Sequence, residues 1–176
     1  MNVKEAVVMA HREQAPKSVG CFVLCCSDTR SAREDLSGQH IQQLLQEAGH
    51  ELCGYAVVLD EPAHIQKALE SALEMPRVQV VLVTGGTGIG RRDSTVQVLQ
   101  PMLEKPLPGF GELFRMLSYE QIKSAAMLSR ALAGSIGSKF VFAMPGSKAA
   151  VDLAMRALIL PELGHLVREM TRGTRG

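Results

Sequence analysis

Between Thr84 and Asp93 the chain reads Thr-Gly-Gly-Thr-Gly-Ile-Gly-Arg-Arg-Asp. Glycines permit positive φ and close approach of the backbone, so successive N–H groups of such a loop can face an anion. Arg91 and Arg92 add positive charge, and Asp93 can hold a hard cation such as Mg²⁺ through oxygen. Amides, cation ligand and arginine in one loop suit a nucleoside triphosphate. Thr84, Gly85, Gly86, Thr87, Gly88 and Arg91 are the candidates for binding its phosphates. The loop is not a P-loop, because no Lys-Ser or Lys-Thr follows the glycines at the required spacing. Nor is it the dinucleotide fingerprint, whose third glycine is Arg91 here.

A nucleophilic serine or cysteine needs a base, most often histidine. The histidines are His11, His40, His50, His64 and His165. They fall in the N-terminal extension, in predicted helices or beside helix ends, where surface and capping roles are expected. Cys21 and Cys25 lie inside a predicted strand. A reaction without a protein nucleophile therefore fits better: in phosphoryl or nucleotidyl transfer the substrate brings its own anionic oxygen, and the protein supplies positioning and electrostatics.

The elements that must position these groups alternate between strand-like and helix-like runs, the pattern of an α/β domain around a mostly parallel sheet. Strands are predicted at 19–27, 54–59, 78–84 and 139–144. Helices are predicted after a Ser37-Gly38 cap with Gly49 as terminator, from Pro62, over 95–103, over 148–160 and around 163–170. The segment Lys105–Gly111, with its prolines and glycines, is predicted as loop, followed by a short amphipathic piece with Leu113, Phe114 and Leu117 on one face. In open α/β sheets functional groups collect at the carboxyl ends of the strands. Those ends carry Ser27-Asp28-Thr29-Arg30, Asp60-Glu61, the glycine loop and Pro145-Gly146-Ser147. Each cluster alone also reads as turn or cap chemistry; their joint placement on one rim argues for a shared site.

The chain has 176 residues, 46% hydrophobic and 21% charged, with a net charge of +1, which fits one globular domain with a real core. Near-neutral charge and 4% aromatics without tryptophan offer neither the electrostatic footprint nor the stacking platform of a nucleic-acid binder. The apolar run Val80–Val83 is far too short to span a bilayer, so no membrane crossing is expected. Cys21, Cys25, Cys26 and Cys53 form no metal or disulfide framework; they read as reduced thiols packed as small hydrophobes in a cytoplasmic protein.

Several longer motifs resemble one family, the molybdenum cofactor biosynthesis proteins of the MoaB/Mog type. They are Thr84–Asp93, Leu107–Glu120 (LPGFGELFRMLSYE), SDTR at 27–30 followed by DLSG at 35–38, LDE at 59–61, MLSRALAG at 127–134 and MPGS at 144–147. The PGFGE and RMLS segments and the LPELG near the C-terminus are most similar to the MoaB branch. The resemblance implies a single three-layer α/β domain over 19–170, between an extension at 1–18 and a tail at 171–176. It implies Mg²⁺-dependent transfer of AMP from ATP to the phosphate of molybdopterin, releasing pyrophosphate, before a molybdate-inserting partner enzyme acts. Asp60 and Asp93 match the catalytic acids of the family, and Ser147 with the TGGTG backbone matches the pocket rim. Ser118 and Ser129, with Ser27 and Asp28, match the pterin side. The chain keeps both acids and both arginines, which some MoaB-branch members lack; its Ile89-Gly90 departs from the bulkier or proline-bearing pair of many relatives. Trimers or hexamers are implied as well. The competing reading is a non-catalytic molybdopterin carrier or scaffold.

Overall fold

The structure, a computed structural model, describes residues 15–28 and 34–172. His11, Thr29 and Arg30, with most of the predicted extension and tail, lie outside the described residues.

Four apolar runs become the parallel strands β1 (Gly20–Cys26), β2 (Glu51–Val58), β3 (Val80–Thr84) and β6 (Lys139–Met144). With β4 (Lys105–Pro106) and β5 (Leu132–Ile136), the described sheet has six strands in the order β2-β1-β3-β6-β5-β4. Every residue of β3 is buried, which is why its sequence is continuously apolar rather than alternating. Val80 and Leu82 face one layer, built on α1 (Leu36–Glu47), α4 (Pro108–Ile122), α5 (Lys148–Ala154) and α6 (Leu163–Thr171). Val81 and Val83 face the other, built on α2 (Pro62–Glu74) and α3 (Thr95–Leu99). The result is a single three-layer α/β domain with a mostly parallel sheet.

Two antiparallel strands at one edge depart from the sequence reading. β5 (Leu132–Ile136) was not expected, because its small residues, Ala133, Gly134 and Ser135, give no apolar run. It is joined to β6 by a tight hairpin in which Ile136 pairs with Lys139 and Gly137 takes φ +57°, as a two-residue turn requires. Beyond it, Lys105–Pro106 form β4, and α4 begins at Pro108. The predicted loop Lys105–Gly111 is thus a short strand and a first helical turn, since proline at N1 loses no bond. Along α4, Phe110, Phe114 and Ser118 face inward while Leu113 is exposed, so Leu113 and Phe114 do not share a face as predicted.

Helix starts and stops were also refined. Asp35, not Ser37-Gly38, caps α1: its Oδ1 accepts from the Gly38 amide at 2.9 Å and its Oδ2 from the Tyr55 hydroxyl at 2.7 Å. A fully buried carboxylate with two donors outcompetes a serine hydroxyl for the cap. Gly49 follows the helix at φ +78°, as expected. α3 tightens into a 3₁₀ turn at Gln100–Met102, where Pro101 cannot donate. The predicted helix 148–160 is α-helical only to Ala154 and widens to a π turn at Met155–Ile159. Pro161 follows, whose missing N–H and ring disturb the preceding turn.

Candidate functional site

Chain order runs β1, α1, β2 on one side of β1, while β3 lies on the other side. The crevice between the carboxyl ends of β1 and β3 is therefore the topological switch point, where open sheets bind ligands. Register delivers the polar ends together: Cys25 lies opposite Thr84, and Thr84 opposite Met144. A Cβ on Gly85 would sit 2.1 Å from the Cys26 carbonyl, and one on Gly146 would sit 3.3 Å from the Gly85 Cα. Gly85 has no room for a side chain where these turns close on one another, and Gly146 has little.

Hydrogen bonds tie the rim laterally. The Asp60 amide donates to Asp28 Oδ1 at 3.2 Å, and Arg92 Nε to Asp28 Oδ2 at 2.8 Å. Asp60 Oδ1 accepts from both the amide and the hydroxyl of Ser94, at 3.0 and 2.8 Å. Asp93 Oδ2 accepts from the Gly90 amide at 2.7 Å. The Thr84 hydroxyl donates to the Pro145 carbonyl at 3.1 Å, and Ser37 Oγ to the Gly146 carbonyl at 2.8 Å. Ser147 caps α5, its Oγ accepting from the Ala150 amide at 3.3 Å. Ser27, Asp28, Asp60, Thr84 to Gly88, Asp93 and Ser147 thus share one rim. Arg91 is exposed on the loop and pairs with no acid among the described residues.

Two features of this rim invite a ligand. Among the described residues, the amides of Gly86, Thr87 and Gly88 donate to no protein acceptor, although Gly86 and Thr87 are buried. One oxygen of each acid, Oδ2 of Asp60 and Oδ1 of Asp93, is likewise without a protein donor. Among the described residues, the fully buried Thr95 hydroxyl has no oxygen or nitrogen partner, and it abuts the Cys26 thiol. A Cβ on Gly86 would lie 2.3 Å from Thr95 Oγ1 and 2.5 Å from Asp60 Oδ2, so both oxygens border the same glycine.

The pterin-side serines sit differently. Ser118 is buried on the inner face of α4, and no bond ties it to the rim among the described residues. Ser129 accepts from the Ala131 amide through Oγ at 3.3 Å and adjoins Arg130, which does touch the loop. Arg130 Nε donates to the Gly88 carbonyl at 2.7 Å and its Nη2 to the Asp93 carbonyl at 2.9 Å. Sequence reasoning missed Arg130, Ser94 and Thr95 as site residues. Ser94-Thr95 directly follow Asp93 at a helix start, a legible signal for capping groups; nothing local marks Arg130, which lies 37 residues beyond Asp93.

The remaining reactive groups are placed as expected. Burial pushes the Cys26 thiol up to about 12 and holds Cys21 there as well, so neither is a thiolate nucleophile. His40 contacts Asp152 at 2.7 Å, His64 pairs with Glu61 and His165 with Glu162. The described cysteines are all free thiols, and no described helix is long and apolar enough to cross a membrane.

Residues 22–165 match a family model described as "Probable molybdopterin binding domain". The chain is 52% identical over 166 residues to molybdenum cofactor biosynthesis protein B of Bacillus cereus, covering 94% of this chain and 98% of that protein. It is 47% identical over the same length to the protein of that name from Bacillus subtilis, with the same coverage. A crystal structure of molybdenum cofactor biosynthesis protein B superposes with a TM-score of 0.87 at 52% identity, over 90% of this chain and 99% of that one. The tungsten cofactor synthesizing protein MoaB from Pyrococcus furiosus superposes with a TM-score of 0.80 at 36% identity, over 89% of this chain and 99% of that one.

Proposed function

The chain belongs to the molybdopterin-binding family of molybdenum cofactor biosynthesis proteins, and from that premise we propose that it acts in that pathway as a molybdopterin adenylyltransferase. The observation that carries the proposal is the pairing of unpartnered amides at Gly86, Thr87 and Gly88 with an unspent carboxylate oxygen on each of Asp60 and Asp93. Amides in succession receive phosphate oxygens, and the carboxylates receive the cation that accompanies a triphosphate. A carrier of the pterin alone would need the first but not the second.

An oxygen of the molybdopterin phosphate attacks the α-phosphorus of ATP. The bond from that phosphorus to the α,β-bridging oxygen breaks, and pyrophosphate leaves with the electron pair. The nucleophile is already ionised at neutral pH, so no side chain has to take a proton. Thr84 through Gly88, with Arg91 and the rim at Ser147, hold the phosphates, while Ser27, Asp28, Ser118 and Ser129 receive the pterin side. Asp60 and Asp93 orient the reacting groups, and they fit Mg²⁺, as the Thr95 hydroxyl beside Asp60 does, which has no oxygen or nitrogen partner among the described residues. Mg²⁺, when bound, neutralises charge on the phosphate oxygens. Among the described residues no cluster of three or more acids, histidines or cysteines could hold a metal, which accords with a Mg²⁺ shared between one or two carboxylates and substrate phosphates.

Pyrophosphate release from ATP in the presence of molybdopterin and Mg²⁺ tests this. The rate is expected to be flat in pH near neutrality, because the site uses no histidine. Asp93→Asn should lower kcat by roughly 10²–10³, the loss seen for comparable electrostatic groups, while pterin binding survives. Pterin binding without any pyrophosphate release would establish the carrier instead.

Self-association belongs to the same proposal. Leu113, Met116, Tyr119 and Ile122 of α4, with Met127 and Leu128 just beyond it, are exposed large apolar residues in one stretch of chain, more than isolated surface residues would supply. A second copy is their natural cover, giving a trimer or hexamer in the cytoplasm that passes its product to the molybdate-inserting enzyme. A monomeric mass in light scattering at micromolar concentration would rule this out.

A further inference from the structure

Among the described residues, Gly86, Thr87 and Gly88 make no hydrogen bond within the glycine loop itself. Gly86 and Gly88 offer little local restraint, yet the loop's usefulness depends on which way its amides point. Among the described residues there are no cis peptide bonds, and in a trans peptide the N–H points opposite to the carbonyl of the same unit. The partners of the loop carbonyls therefore fix the direction of the amides that follow them.

Those carbonyls have identified partners. The Gly86 carbonyl accepts from the Thr95 amide at 3.1 Å, and the Thr87 carbonyl from the Arg130 amide at 3.0 Å. The Gly88 carbonyl accepts from Arg130 Nε at 2.7 Å, and the Asp93 carbonyl from Arg130 Nη2 at 2.9 Å. With the Thr87 and Gly88 carbonyls turned to residue 130, the Gly88 and Ile89 amides face away from it. One edge of the guanidinium also spans both ends of the 88–93 turn, which holds the Asp93 backbone in place beside the amides. Lysine, a single point charge on a flexible stem, cannot span two carbonyls in that way.

Arg130 is itself held. Arg115 on α4 donates from one nitrogen to the Ser129 and Ala131 carbonyls, each at 3.3 Å, gripping the residues on either side of Arg130. Gly111 makes room for the grip: a Cβ there would lie 2.5 Å from the Ala131 carbonyl oxygen and 2.9 Å from Arg115 Nη1.

We infer that Arg130 is a positioning residue, whose guanidinium takes the Gly88 and Asp93 carbonyls and so holds the 88–93 turn, the Ile89 amide and the Asp93 backbone beside the anion-binding amides, while its own backbone amide takes the Thr87 carbonyl and Arg115 acts as its brace. The phosphate part of this role rests on the function proposed above; the loop-holding part does not.

Hydrogen exchange and calorimetry with Mg²⁺-pyrophosphate, run on wild type, Arg130→Ala and Arg130→Lys, separate the two. In both variants the bonded amides of the turn, Gly90 and Asp93, should exchange about tenfold faster while β1 and β3 keep their protection. Pyrophosphate affinity should fall about 10–100-fold, the range found when the outer partners of an ion site are removed. Millimolar guanidine should restore affinity in Arg130→Ala, where it can refill the vacated space, and not in Arg130→Lys. Arg130→Lys keeps the bulk and charge at 130, so it reports on the loop even where Arg130→Ala fails to fold. Exchange of the Gly90 and Asp93 amides within twofold of wild type in the folded variants would overturn the inference. Faster exchange in the variants, with no pyrophosphate binding by wild type, would uphold the loop-holding part and overturn the phosphate role together with the proposed function.

Discussion

Two aspartates in this molecule are each pressed against a glycine, and they end differently. At the start of α1, Asp35 is fully buried and both of its oxygens are taken, one by the Gly38 amide and one by the Tyr55 hydroxyl. At the end of β2, Asp60 is only half-buried, and Ser94 takes one oxygen twice while the other has no protein donor. In both places a Cβ on the glycine would collide with the carboxylate, at 2.0 Å for Gly38 and 2.5 Å for Gly86. Residue type and the close glycine are alike; what separates them is the burial and the unspent oxygen. A carboxylate whose acceptors are filled holds the fold, whereas one with an acceptor to spare beside unpaired amides is available to a ligand.

That contrast can be broken by exchanging activity for stability as the readout. The largest effect is expected from Asp60→Asn, which keeps an acceptor for Ser94 but removes the charge: kcat for pyrophosphate release should fall by roughly 10²–10³, with the urea midpoint near wild type. Asp35→Ala should do the reverse. Loss of a helix cap and of a buried hydrogen bond should cost about 2–3 kcal/mol of stability in urea titration, with kcat per folded molecule unchanged. If Asp35→Ala abolished turnover at full stability, the division between the two sites would be wrong.

Smaller changes sharpen the comparison. Tyr55→Phe removes one donor from Asp35 and leaves the cap, so about 1 kcal/mol is expected. The Tyr55 hydroxyl is held protonated far above its ordinary range by burial and by the Asp35 carboxylate, which makes this loss independent of pH across neutrality. The smallest effect concerns His50, whose Nδ1 lies 3.3 Å from the Val19 amide and whose pKa is lowered by burial. A lowered folded value means the unfolded chain binds the proton first. Stability is then complete above the ordinary histidine value of about 6.5 and declines as pH falls from there through the folded value. Urea midpoints of wild type and His50→Gln, compared from neutral to mildly acidic pH, should converge as the pH drops.

The sheet was legible wherever burial on both faces forced a continuous apolar run, so β1, β3 and β6 could be read to within two residues at each end. β5 was not, because at Ala133, Gly134 and Ser135 the close approach of β4 demands small side chains; a Cβ on Gly134 would lie 2.7 Å from the Lys105 carbonyl. Smallness carries no periodicity. The rim was legible for a related reason: Asp28, Asp60, the glycines, Asp93 and Ser147 stand at strand ends, where polarity follows directly upon an apolar run. Arg130 follows no such run. It reaches the loop from a connection that only the fold brings near, and its task, bonding to backbone carbonyls, leaves no partner side chain in the sequence to signal it.

The two ends of the sheet differ in what they could recruit from another chain. An edge strand is a template of unpaired amides and carbonyls that a stray strand can copy. At the β4 end that template is two residues long, and one of them, Pro106, has no N–H to offer. At the opposite end β2 runs for eight residues and carries the exposed Leu52. Intermolecular β-pairing in a partly unfolded or overexpressed sample is thereby directed to β2. A charge placed on its outer face is the economical route to a less aggregation-prone protein, and the same change at β4 would gain nothing.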